Sequence, residues 1–237
     1  WITQPVLVIP PLFISLFLFL VFGAAFGKVT GLPGFPTDDY EAFLVAMILV
    51  QAVVFSGSDA GFAMFTDILS GYFDKLLLAP INRFSILFGS LLMAGTRALA
   101  QALVIVIVAF ALGVSFKTGA LGVVSVIVMA SLFGIAWSSI GLMIALKTKS
   151  AQATQASFVF FFPFIFLTTA FMPKDLLSGW FKVAVTINPV EYVLAALRVI
   201  VIEGWVWDTI LPGLIILSTM TIGLVALTTW LYRNETA

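Results

Sequence analysis

The sequence contains no histidine and no cysteine. Without histidine it lacks the commonest general base and the commonest metal ligand. Without cysteine there is no disulfide framework, and zinc chemistry loses its usual ligand set. Charge is almost as scarce: Asp, Glu, Lys and Arg make up 9% of the chain, against about a quarter in an ordinary soluble domain. Eleven bases and eleven acids cancel, so no basic surface points to nucleic acid. No G-x-x-x-x-G-K-[ST] loop is present to cradle nucleotide phosphates. Rhomboid-type proteolysis needs a Ser–His pair and fails on histidine. Presenilin-like chemistry needs two aspartates in a G-x-G-D context, and "GSDAG" supplies Asp59 alone. Catalysis by this chain is not expected.

What fills the 237 residues is hydrophobic, 62% of the total, with 24 phenylalanines. Six runs approach the roughly 20 apolar residues that carry a helix across a bilayer. They lie near 5–26, 42–63, 86–113, 121–146, 153–172 and 209–232, and they contain only two charges, Asp59 and Arg97. Strands of a membrane barrel alternate polar and apolar residues; these runs are continuously apolar. The expected fold is an all-α integral membrane protein of six transmembrane helices in one domain. The opening "WITQP" has no Met, and further residues are expected ahead of Trp1.

An even number of spans puts both termini on one side. That side carries Lys75, Arg83, Lys147, Lys149 and Arg233 in short segments, whereas the opposite loops are longer and richer in acids. The positive-inside rule then assigns the first side to the cytoplasm. Its most charged stretch is "FDKLLLAPINR" (residues 73–83). Pro80 disfavours helix at Ala79 and ends the turn there. The apolar Phe73, Leu76 and Leu77 in a loop need a covering surface, and Asp74, Lys75 and Arg83 flank them. A short apolar helix with charged margins suits a groove on a partner.

Between the fifth and sixth spans, residues 173–208 hold two apolar pieces too short to span, "WFKVAVTI" and "VEYVLAALRVIVI". They read as a re-entrant helical hairpin turned at Asn188-Pro189, with Glu191 in the first turn of its second helix. Glu191 and Arg198, two turns apart, are either a terminal charge and an interfacial anchor or a latch at the external mouth; Trp180 lies in the same hairpin. Asp59 and Arg97, at membrane depth, are functional candidates by default. They suit a structural ion pair, with a substrate contact or proton relay as the other reading. Gly57 and Gly61, and the small residues Gly134, Ser138, Gly141 and Ala145, allow close helix approach. In "FVFFFPFIF", Phe158, Phe162 and Phe166 either line a path for an apolar substrate or face lipid and neighbouring helices, with Pro163 kinking the run.

The order of these features resembles the membrane subunits of type V ABC exporters, the ABC type 2 permeases. "GYFDKLLLAPINRFSILFGS" (residues 71–90) is similar to that family's cytoplasmic Leu-Leu-x-x-Pro-x-x-Arg segment. "PFIFLTTAFMPKDLLSGWFKVAVTINPVEYVLAALRVIVIEG" (residues 163–204) is similar to its Phe/Pro-rich fifth helix, Met-Pro, Trp, Asn-Pro and downstream Arg. Daunorubicin-resistance drug or lipid exporters resemble it most. The resemblance implies a permease that dimerises with itself or a related permease and docks two ATPase subunits on residues 71–83. ATP and magnesium would bind those subunits, with no cofactor on this chain. It also implies a prokaryotic cell membrane, cytoplasmic termini and export of an amphiphile; the family's amphipathic helix ahead of the first span is expected to be absent or cut off here. The alternative is a secondary transporter or channel that uses Asp59 and Arg97 without an ATPase.

Overall fold

The computed structural model describes residues 9–80 and 82–236, with the side chains of residues 56, 58, 83, 157, 158 and 236 outside that description. The start of the expected first span and the side chains of Arg83 and Phe158 therefore lie outside the described residues. The chain is helical throughout, with no strand among the described residues. Its elements are α1 (Ile9–Phe26), continued by a 3-10 turn (Gly27–Gly31), α2 (Tyr40–Leu69), α3 (Tyr72–Leu78), α4 (Arg83–Ala111) and α5 (Gly119–Thr148). They are followed by α6 (Ala151–Val159), α7 (Phe161–Phe166), α8 (Gly179–Ile187), α9 (Pro189–Ile202) and α10 (Trp207–Thr236). Among the described residues, five helices are long and apolar enough to cross a membrane: α1 with its 3-10 continuation, α2, α4, α5 and α10.

Local chemistry sets the ends of these helices. Asp39 accepts a hydrogen bond from the Ala42 backbone N–H at 3.0 Å and starts α2; Asn82 does the same for Phe84 at 2.9 Å and starts α4. Gly71 adopts φ +69° between α2 and α3, a left-handed turn that glycine makes without penalty. The 30-residue α2 overruns its expected limit, because nothing between Gly61 and Leu69 breaks a helix.

The fifth expected span, 153–172, is the one that differs. Helix stops at Val159, restarts at Phe161 and ends at Phe166, so the segment is a kinked helix too short for a full crossing. Pro163 explains the break: its ring clashes with the carbonyl four residues earlier, that of Val159. Residues 167–173 then run as irregular chain. The hairpin forms where the sequence places it, α8 and α9 meeting at 84°. Its two arms have different surroundings, however. α8 is largely exposed, whereas α9 is buried along most of its length and packs against α2, α5 and α10.

α2 lies at the centre, touching α1, α4, α5, α6 and α9. Its approach to α5 is backbone on backbone. A Cβ on Gly61 would lie 2.6 Å from the Gly141 carbonyl, and one on Gly57 would lie 2.9 Å from the Ser138 nitrogen. The G-x-x-x-G step of α2 thus meets the small-residue row of α5 inside one bundle. Gly61→Val is expected to destabilise the protein by about 1–3 kcal/mol through overpacking. Gly223→Ala in α10, where a Cβ meets nothing within 4 Å, should be neutral or stabilising. Thermal unfolding of both variants in detergent checks the contrast; equal shifts would refute the close contact.

Candidate functional site

Two regions gather the chemistry, one at each end of α2. At the Tyr40 end, the irregular residues 167–173 would leave unpaired backbone groups, which hydrocarbon penalises by several kcal/mol each. Side chains of α9 and α2 take them up. Asn188 caps α9 by accepting from the Val190 N–H at 3.0 Å, while its amide nitrogen donates to the carbonyls of Phe164 and Leu167 at 2.6 and 2.7 Å. Tyr40 donates its hydroxyl to the Phe171 carbonyl at 3.3 Å. Pro189 occupies the first turn of α9, where its missing N–H costs nothing.

Glu191 and Arg198 complete the arrangement. They are only 8% and 6% exposed, so Arg198 is not an interfacial anchor. Their link runs through Thr169. Its backbone N–H and hydroxyl both donate to the Glu191 carboxylate at 2.7 Å, and its hydroxyl oxygen accepts from Arg198 Nη1 at 2.8 Å. Arg198 also donates to the carbonyls of Phe43 (3.3 Å) and Ala170 (3.4 Å), with its guanidinium 3.7 Å from the Phe43 ring centroid. The acid and base therefore clamp the unwound segment between α9 and α2. Trp180 stands apart from this network, exposed on α8 and edge-on to Phe181.

At the other end, α3 turns back beneath the bundle. Phe73 is 8% exposed and packs edge-on against Tyr232 of α10, ring centroids 6.1 Å apart. It shares an apolar cluster with Met64, Leu87, Leu91, Leu142 and Leu146, and Leu77 packs against the same cluster. This corrects the reading of Phe73 as partner-facing: the chain's own bundle covers it, and Leu77 is half-covered by the same cluster. Leu76 is half-buried, while Asp74, Lys75 and Pro80 are exposed. Leu69, Tyr72 and Leu78 are left bare, the last 87% exposed. The cluster joins the ends of α2, α5 and α10, so Lys75, Lys147, Lys149 and Arg233 share this end.

Asp59 and Arg97 lie between the two regions, both half-buried, and attract one another across the α2–α4 contact. Because α2 continues to Leu69, Asp59 sits roughly 15 Å from its end at about 1.5 Å per residue, deeper than the expected span limit implied. Phe162 and Phe166 stack on one another (6.1 Å), and Phe166 stacks on Phe171 (6.0 Å). Phe161 instead turns inward, edge-on to Trp137 at 5.1 Å. Among the described residues no group of His, Cys, Asp and Glu is placed to hold a metal.

Residues 1–202 match the family model described as ABC-2 type transporter. The chain belongs to the ABC-2 type transporter family. It is similar to the daunorubicin resistance ABC transporter permease protein DrrB1 of Streptomyces coeruleorubidus, at 29% identity over 240 residues covering 98% of this chain and 80% of that protein. It is also similar to the putative transport permease ycf38 of Cyanophora paradoxa, at 27% identity covering 82% and 68%. A third relative is the probable doxorubicin resistance ABC transporter permease protein DrrC of Mycobacterium tuberculosis, at 24% identity covering 65% and 56%.

In this ABC-2 permease, sequence reasoning missed Thr169, Tyr40 and Phe43 as network members. The one signal available was the Thr168-Thr169 pair inside an apolar run, since threonine hydroxyls compete for backbone partners and loosen helices. Thr169→Val removes the bridging hydroxyl and leaves buried charges underserved; a loss of about 1–3 kcal/mol is expected. Arg198→Ala leaves Glu191 buried without its counter-charge and should cost about 3–5 kcal/mol. Thermal unfolding of each variant in detergent measures this order, and a Thr169→Val protein as stable as the original would show that the bridge carries nothing.

Proposed function

We propose that this chain is the permease subunit of an ATP-driven exporter that moves an amphiphilic substrate such as a drug, lipid or glycolipid across the cell membrane. Two separate ATPase subunits, binding ATP and magnesium, dock at α3; the permease pairs with a second copy or a related permease. The observation that carries this reading is the continuity of α2. One unbroken 30-residue helix runs from α3, with its bare Leu78 and Tyr72, to the Arg198 network at the opposite end. Clustering of Lys75, Lys147, Lys149 and Arg233 at the α3 end supports its cytoplasmic placement.

In this mechanism the ATPase pair closes on ATP and shifts α3. Phe73 transmits the shift to α2, α4, α5 and α10, because it is wedged among them. Movement of α2 at its far end bears on Phe43 and Tyr40, which hold Arg198 and the unwound segment. The bundle then redistributes between inward- and outward-open states, driven by the different contacts each state makes. The scarcity of charge and the aromatic ladder Phe162–Phe166–Phe171 suit an amphiphile better than a small ion.

Leu78→Asp is expected to release the ATPase while leaving the permease's unfolding temperature unchanged, since Leu78 is bare in the permease alone. Co-purification with co-expressed ATPase reads out the first effect. Full retention of the ATPase by Leu78→Asp would overturn α3 as the docking element. Transport without any ATPase, abolished by Asp59→Asn, would favour a gradient-driven carrier instead.

A further inference from the structure

Between the α3-side halves of α2 and α4 lies a cavity of about 680 Å³, floored by α3. Along α4 it extends from Ser85 to Arg97, roughly 18 Å at about 1.5 Å rise per residue. One leaflet of a bilayer is about 15 Å of hydrocarbon, half of a core roughly 30 Å thick. The cavity therefore has the depth of a single leaflet. Ala63, Gly89 and Met93 line the middle, and methionine side chains adapt to an irregular apolar guest. Polar groups stand at both ends, Arg97 at the inner end and Asp67, Asn82 and Ser85 at the mouth, where the only carboxylate among the described lining residues lies.

We propose that this cavity holds a phosphatidylethanolamine molecule from the leaflet on the α3 side, one acyl chain laid along Ala63, Gly89 and Met93. Its ammonium group meets the Asp67 carboxylate, and Asn82 and Ser85 serve its phosphate and glycerol oxygens. Charge selects the headgroup: the acid at the mouth attracts an ammonium and repels a purely anionic head. The volume lies within the range of about 300–1,000 Å³ typical of small-molecule sites. Because α2, α3 and α4 all line the cavity, the lipid joins α3 to the two long helices. Movement of α3 is thereby transmitted to the bundle through a bound lipid as well as through Phe73.

This inference needs only a bundle embedded in a membrane, so it can fail while the ATPase reading stands. The test uses the full chain in vesicles of equal phosphatidylethanolamine and phosphatidylglycerol content, with a photoactivatable phosphatidylethanolamine as probe. Retained lipid is identified by native mass spectrometry after detergent extraction. A Cβ on Gly89 meets nothing within 4 Å, so Gly89→Phe fills the cavity without a clash at its root. It is expected to lower phosphatidylethanolamine retention about tenfold, an energy near 1.4 kcal/mol. Asp67→Asn should erase the preference over phosphatidylglycerol, and Gly223→Phe in α10, equally open, should change neither. Undiminished probe labelling in Gly89→Phe, or retention of phosphatidylglycerol in preference, would overturn the proposal.

Discussion

Where α2 crosses α5, no side chain separates the two backbones, and the rest of the bundle is arranged around that contact. Lipid tails are as apolar as leucine, so burial from water does not hold two membrane helices together; close packing must. Gly57 and Gly61 against Ser138 and Gly141 supply it. Drawn this close, α2 is enclosed by α1, α4, α5, α6 and α9, and residues 42–55 face protein on every side. Tyr40 and Asp59 on this helix consequently meet other residues rather than lipid. Tyr40 reaches the unwound segment, and Asp59 reaches the field of Arg97.

Irregular backbone at membrane depth survives only where protein or water satisfies it. Residues 167–173 are a case of the first kind. Hydropathy favours continuing the helix past Phe166, yet Asn188, Arg198, Tyr40 and Glu191 each offer a hydrogen bond that the unwound chain accepts or makes. The partners are interdependent. Glu191 and Arg198 are both buried, and each needs Thr169 in its unwound position. A continuous helix through Thr169 would withdraw its backbone N–H from Glu191. The buried charges thus fix one register of α9 against α2, which is a specificity role more than a source of net stability.

The long helices were legible because their apolar runs approach or exceed spanning length; the caps Asp39 and Asn82 and the turn at Gly71 emerge only from the structure. The hairpin was legible from Asn188-Pro189, and the glycine spacing announced close helix packing without saying that α2 and α5 are the helices that meet. The unwound segment was not. Hydropathy scores "FIFLTTAFM" by its side chains, whereas its conformation depends on partners as distant in sequence as Tyr40. The same limit applies to Phe73. An apolar residue in a loop announces that something covers it, but sequence does not say whether the cover is another protein or the chain's own α10. That distinction needed the position of Tyr232, 159 residues away.

The inward turn of Phe73 alters how force would pass through the molecule. A docking helix held only by a partner could swing without moving the spans behind it. Here α3 is wedged by Phe73 and Leu77 into a cluster built from α2, α4, α5 and α10, so its displacement requires theirs. Protein interiors packed at crystal-like density transmit strain instead of absorbing it. Of the four, α2 also reaches the Arg198 network directly, through the Phe43 carbonyl and ring. Uncovering a buried guanidinium is costly, so a displacement of α2 at Phe43 meets the resistance of that network. A switch between two arrangements needs that behaviour: a barrier set by one buried charge pair, and a stiff helix that brings work to it from the opposite face of the membrane.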